Sequence, residues 1–174
     1  PLVQDRDRIC EVALEFGAQD VILAETSQKQ AELWRLRRAT GEAVKRLSVY
    51  KEEDTVVPRF ALPDLIDGVK AIASRYELKT ICYGHAGDGN LHVNILKMES
   101  SDQKWELELP LAIEEIFRLT VRLGGTISGE HGIGYSQKRY LPIALSPTEL
   151  ALQKQIKMVF DPKKLLNPDK IFLD

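Results

Sequence analysis

The chain carries three histidines, and all three lie in glycine-rich segments. His85 and His92 flank the stretch Ala86-Gly87-Asp88-Gly89-Asn90-Leu91, and His131 follows Glu130 within Gly129-Glu130-His131-Gly132-Ile133-Gly134. Residues on either side of a hairpin tip come back to face one another across the two strands, so His85 and His92 can share a cation. Glu130 adds a carboxylate from a loop of the same composition. Two imidazoles and one carboxylate are the ligand set of many catalytic zinc sites, in which a fourth position stays open for water or substrate. Mn²⁺ and Fe²⁺ are compatible with the same ligand types. The plainer reading is two tight turns, each with a histidine hydrogen-bonding at the surface. Against it stands the concentration of residues: Gly84, Gly87, Gly89, Gly129, Gly132 and Gly134 are six of the eleven glycines, and glycine is placed where backbone takes positive φ or approaches a ligand closely.

Other residues admit two readings each. Asn94 follows His92 by two, which in a strand puts both on one face; it contacts a ligand or caps an edge. Arg37 and Arg38 sit on a helical pattern whose charged face is ordinarily solvated. Arg59, directly after Pro58, can hold a carboxylate bidentately or stand free. Lys138-Arg139 steers an anion or is surface charge. Asp88 is a turn former, and Trp34 and Trp105 read as packing residues. No Gly-x-Gly-x-x-Gly lies between a strand and a helix, and P-loop, Gly-x-Ser-x-Gly and His-Glu-x-x-His motifs are missing.

These segments need elements to hold them. Residues 8–16 have helical apolar spacing, stopped by Gly17. Asp20 to Ala24 reads as a short apolar strand. A long helix opens at Ser27, with Gly41 as an interruption. Residues 48–57 are extended up to Pro58, and a helix with one apolar stripe runs from Leu62 to about Tyr76. Strands over 78–83 and 91–98 enclose the first glycine-rich tip. A helix over 101–123, a short strand at 126–128, the second glycine-rich loop and a last helix over 147–160 follow. The pattern predicts an α+β fold, a mostly antiparallel sheet covered by helices, as a single domain over 1–174.

Composition sets limits. With 24 basic and 26 acidic residues the net charge is −2, which argues against a nucleic-acid partner. No apolar run approaches the roughly 20 residues needed to span a bilayer. Cys10 and Cys82 match no zinc ribbon or redox pair and read as small core residues of a reducing compartment. Cytoplasm, or the inner face of a membrane, is the expected location. A chain opening Pro1-Leu2-Val3 reads as a piece of a longer protein.

Tyr83-Gly84-His85-Ala86-Gly87-Asp88-Gly89-Asn90-Leu91-His92, Ser128-Gly129-Glu130-His131-Gly132-Ile133-Gly134, and Phe160-Asp161-Pro162 with Leu166-Asn167-Pro168-Asp169-Lys170 resemble the C-terminal domain of FAD-linked oxidases of the vanillyl-alcohol-oxidase type. By motif the similarity is to the glycolate oxidase FAD subunit, D-lactate dehydrogenase and D-2-hydroxyglutarate dehydrogenase. It covers residues 8 to 172, with Val57-Pro58-Arg59 and Leu33-Trp34 followed by Arg37 also fitting.

The resemblance implies a ferredoxin-like cap over a flavin held by a separate N-terminal FAD domain. It implies that His85, His92 and Glu130 ligate a divalent metal, zinc by default, and that His131 is the general base. It further implies that Asn94 and an arginine, Arg37 or Arg59, contact a small 2-hydroxy-acid substrate and that Asn167 lies toward the cofactor. The metal would lower the hydroxyl pKa, His131 would take the proton, and the C2 hydride would pass to FAD. Electrons would leave to a quinone, a cytochrome or an electron-transfer flavoprotein. Where the hydroxyglutarate type has threonine and lysine, this chain has Gly41 and Glu52, so the lactate and glycolate types fit better. Two other readings stay open: a stand-alone metal-dependent hydrolase, and a non-catalytic binding or homodimerisation module.

Overall fold

The computed structural model of the chain describes residues 2–173. They fall into two compact units, Pro1–Ala43 and Val44–Asp174. The first holds α1 (Leu2–Glu15) and most of α2 (Ser27–Leu47). Gly17, at φ +88°, ends α1 in the left-handed conformation that glycine adopts without strain. The strand expected over Asp20 to Ala24 is irregular instead; an apolar run becomes a strand only where a neighbour completes its ladder. Gly41 does not break α2. Trp34, expected to pack, is 54% exposed, and the Arg37 guanidinium lies 5.5 Å from its ring centroid.

The second unit is built on β1 (Tyr50–Val56), α3 (Leu62–Arg75), β2 (Lys79–His85), β3 (Asn90–Leu96) and α4 (Asp102–Arg122). The sheet order is β1-β3-β2, with both pairs antiparallel. The strand expected at 126–128 contracts to one antiparallel bridge between Val56 and Thr126. A β-α-β-β-α run with β3 inserted between the first two strands, followed by pairing on the far edge of β1, is the split β-α-β arrangement of ferredoxin-like folds. The α+β expectation therefore holds.

Period-2 alternation decides which side of the sheet is core. Leu91, Val93 and Ile95 of β3 are buried against Leu65, Val69 and Ile72 of α3 and Ile113, Ile116 and Phe117 of α4. Ser101 caps α4 by accepting the Lys104 N–H. Beyond it come a short α5 (Leu141–Ala144) and α6 (Pro147–Phe160), whose start is fixed by a Ser146/Glu149 capping box. Trp105 packs on the core margin as expected. Both cysteines are half-buried; Cys82 packs against the core as expected, and burial pushes its thiol up to about 11, a poor nucleophile at neutral pH. Among the described residues no helix is long and apolar enough to cross a membrane.

Candidate metal and proton-transfer site

The face of the sheet turned away from α3 and α4 is polar. In register, Asp54, His92 and Tyr83 lie abreast, as do Glu52, Asn94 and Ile81, and Val56, Asn90 and His85. Antiparallel pairing thus delivers one histidine from each side of the hairpin, and acids from β1, onto one surface. Gly89, at φ +74°, allows the hairpin tip to turn back on Val57, where a Cβ would strike the Val57 carbonyl oxygen; Val57 N–H donates to Gly89 O at 3.0 Å.

The loop after the Thr126 bridge brings Glu130 and His131 over this face. Glu130 lies 3.6 Å from His85 Nε2 and 3.9 Å from His92 Nε2. The His85 and His92 rings meet edge-on with centroids 5.8 Å apart. On the other side of His92, Glu52 Oε1 lies 3.6 Å from Nδ1 and 3.8 Å from His131 Nε2. The His131 ring stacks on His92 at 5.2 Å.

Two donor triads result, His85/His92/Glu130 and Glu52/His92/His131, each with its ligand atoms within 4.8 Å of one another. A tetrahedral ion with donors at about 2.1 Å sets them roughly 3.4 Å apart, so His85, His92 and Glu130, whose ligand atoms lie within 4.8 Å of one another, close around a cation by drawing together. His92 belongs to both triads through opposite nitrogens. A neutral imidazole offers only one lone pair, so a cation on one side leaves an N–H pointing to the other. Glu52 faces Nδ1 and can accept that N–H, the outer carboxylate that fixes the tautomer of a metal-bound histidine.

Asp54 is fully buried beneath this loop. Its Oδ2 accepts the backbone N–H groups of Gly129, Glu130 and His131 at 2.9, 2.6 and 2.9 Å, and its Oδ1 accepts Asn90 Nδ2 at 2.6 Å. Burial works against the charge, but the His131, Glu130, Asn90 and Gly129 donors outweigh it, and the Asp54 carboxyl lies below its ordinary value. Such a group stabilises the fold fully above the unfolded carboxyl pKa of about 3.9, and the stability is lost as pH falls through the folded value. Urea midpoints of wild type and Asp54→Asn are therefore expected to differ most near neutrality and to converge below about pH 4. Equal midpoints at pH 7 would contradict this.

The remaining sequence candidates divide. Asn94 is no edge cap: it lies on the central strand, on the face that carries His92, and is fully buried, with its amide beside the Tyr83 hydroxyl. Arg59 is exposed and lies outside the two triads, although its backbone N is beside the hairpin tip at Gly89. Arg37 belongs to the first unit. Asn167 lines a surface cleft of about 590 Å³ with Lys154, Lys157 and Phe172, a cleft that includes none of the triad residues. Sequence reasoning missed Glu52 and Asp54. Their signal was present: in a strand, Glu52 and Asp54 share a face, and that face is set by the register to His92 and Asn94.

The family model for FAD linked oxidases, C-terminal domain, matches residues 3–171. A D-lactate dehydrogenase from Anaerostipes hadrus is 33% identical over 166 residues, 95% of this chain and 35% of that protein. Glycolate oxidase subunit GlcD of Bacillus subtilis is 35% identical over 171 residues, 97% and 36% of the two chains. A D-2-hydroxyglutarate dehydrogenase of Xanthomonas citri pv. viticola is 36% identical over 169 residues, 93% and 35%. The chain spans about a third of the length of these relatives. With a family match that runs from residue 3 to residue 171, the chain belongs to the FAD-linked oxidases, as their C-terminal domain.

Proposed function

We propose that this chain is the substrate-binding part of an FAD-dependent dehydrogenase of small 2-hydroxy acids, of the D-lactate or glycolate type. The observation that carries the reading is the convergence of His85, His92 and Glu130 with His131 alongside. His85, His92 Nε2 and Glu130 would hold a divalent cation, zinc by ligand chemistry. When bound, the cation supplies Lewis acidity toward the substrate hydroxyl and carboxylate, and the flavin supplies the two-electron acceptor.

The rest falls to the chain itself. His131 accepts the hydroxyl proton at a ring nitrogen, as a positioned histidine general base does. Glu52, 3.8 Å from His131 Nε2, stabilises the imidazolium once the proton has moved. Asn94, on the same face as His92, is the candidate polar contact for the substrate. Glu52 and Glu130 make the site anionic apart from the cation, so a substrate with a single carboxylate is preferred over a dicarboxylate. Arg59, exposed near the hairpin tip, is the candidate carboxylate clamp. The partners in this reading are an N-terminal FAD domain and an electron acceptor.

The test is anaerobic. Mixing the flavin-loaded protein that carries this chain with D-lactate or glycolate is expected to bleach the flavin absorbance, faster than with D-2-hydroxyglutarate. Ester hydrolysis without flavin, and no bleaching by any 2-hydroxy acid, would favour the hydrolase reading instead.

A further inference from the structure

We infer that Asp54 is a positioning residue: its carboxylate is the template on which Gly129-Glu130-His131 folds, and it thereby aims the Glu130 and His131 side chains at His92. The inference rests on the reading of Glu130 and His131 given above, but its geometry is independent of any bound group. Three consecutive backbone N–H groups converge on one oxygen. Such a concave run of amides is an anion nest. Left open, it would capture an anionic ligand. Here a buried side chain of the same fold fills it, so the segment offers its side chains rather than its amides.

The nest is tied to the site by register. Asp54 pairs directly with His92 across β1 and β3, so the group that shapes the loop and the histidine the loop must reach are cross-strand neighbours. Asn90, at the foot of the hairpin, orients the carboxylate from the other oxygen and also donates to Thr55 O at 3.1 Å. Ser128 closes the turn, its Oγ accepting the Gly132 N–H at 2.8 Å. Gly129 completes the arrangement: a Cβ there would collide with Asn90 Nδ2 and Val56 Cγ2. Without the charge on Asp54, three part-buried N–H donors lose their strongest acceptor, and residues 130 and 131 are left to the Ser128 turn and to side-chain contacts with His85, His92 and Glu52.

The test compares the 174-residue chain with Asp54→Asn and Asp54→Ala, without metal and with chelator present. Asparagine keeps the shape and one acceptor. It removes the charge, and the Asn90 amide can turn its unpartnered Oδ1 toward the new NH₂. Amide hydrogen exchange at Gly129, Glu130 and His131 is expected to accelerate at least about 10-fold in Asp54→Asn and 100-fold in Asp54→Ala. Amides of Val69 and Ile72, inside α3, should hold their rates and so report that the core is folded. The nuclear Overhauser effect between the stacked His92 and His131 rings should weaken in both variants. Should Asp54→Ala fail to fold, Asp54→Asn decides. Unchanged exchange at the three amides, or a ring-to-ring signal of wild-type strength despite faster exchange, would overturn the inference. Zinc titration of the same proteins separates the two readings: no zinc binding by wild type sinks the metal site, whereas the exchange and ring signals judge Asp54 alone.

Discussion

Alanine in place of His131 is expected to lower the rate of flavin reduction by 2-hydroxy acid about 10²–10⁴-fold, the usual worth of a positioned general base. Flavin content and fold should be retained, because His131 is held by its backbone N–H to Asp54, by stacking on His92 and by the contact with Glu52, and alanine keeps the N–H. Stopped-flow reduction under anaerobic conditions reads the step directly. A variant within a few-fold of wild type would remove His131 from the chemistry. The companion substitution Glu52→Gln should cost less, since it keeps the side chain beside Nδ1 of His92 and removes only the charge that favours the imidazolium.

Alanine in place of His92 is expected to weaken zinc binding at least about 100-fold, measured by competition with a chelator of known affinity. His92 is common to both donor triads, so its loss leaves neither with more than two ligands, too few for a site that keeps an open position. It is also nearly buried, at 7% exposure, so water replaces it poorly. His131→Ala distinguishes the triads: affinity should be kept if the cation sits with His85 and Glu130, and lost if it sits with Glu52. Equal zinc affinity in wild type and His92→Ala would place any bound ion elsewhere.

Much of this site could be read in the chain before any fold was known, and the reason is local. His85 and His92 are separated by six residues, four of them the turn 86–89, and Glu130 and His131 are sequence neighbours, so glycine-rich turns announced both clusters. The helices were equally legible where caps and periodicity agree, as at Ser101 and Ser146. What was not legible depends on partners distant in sequence. The apolar run at Asp20 to Ala24 has strand composition but no ladder. The run at Thr126 keeps one bridge, to Val56, the last residue of β1. Asp54 looked like one acid among three in a row, and its role exists only because residues 129–131 arrive some 75 positions later. Trp34 shows the opposite error: a large aromatic in a helical stripe suggests burial, yet Arg37 beside it on α2 covers its ring instead.

The central claim is that two glycine-flanked segments converge on one divalent-cation pocket with a proton acceptor beside it. Crystals grown with zinc and measured at its absorption edge test this most directly. The expected result is a single anomalous peak about 2.0–2.2 Å from nitrogens of His85 and His92 and from a Glu130 oxygen, with His131 uncoordinated. A peak between Glu52, His92 Nδ1 and His131, or none on this face of the sheet, would contradict it.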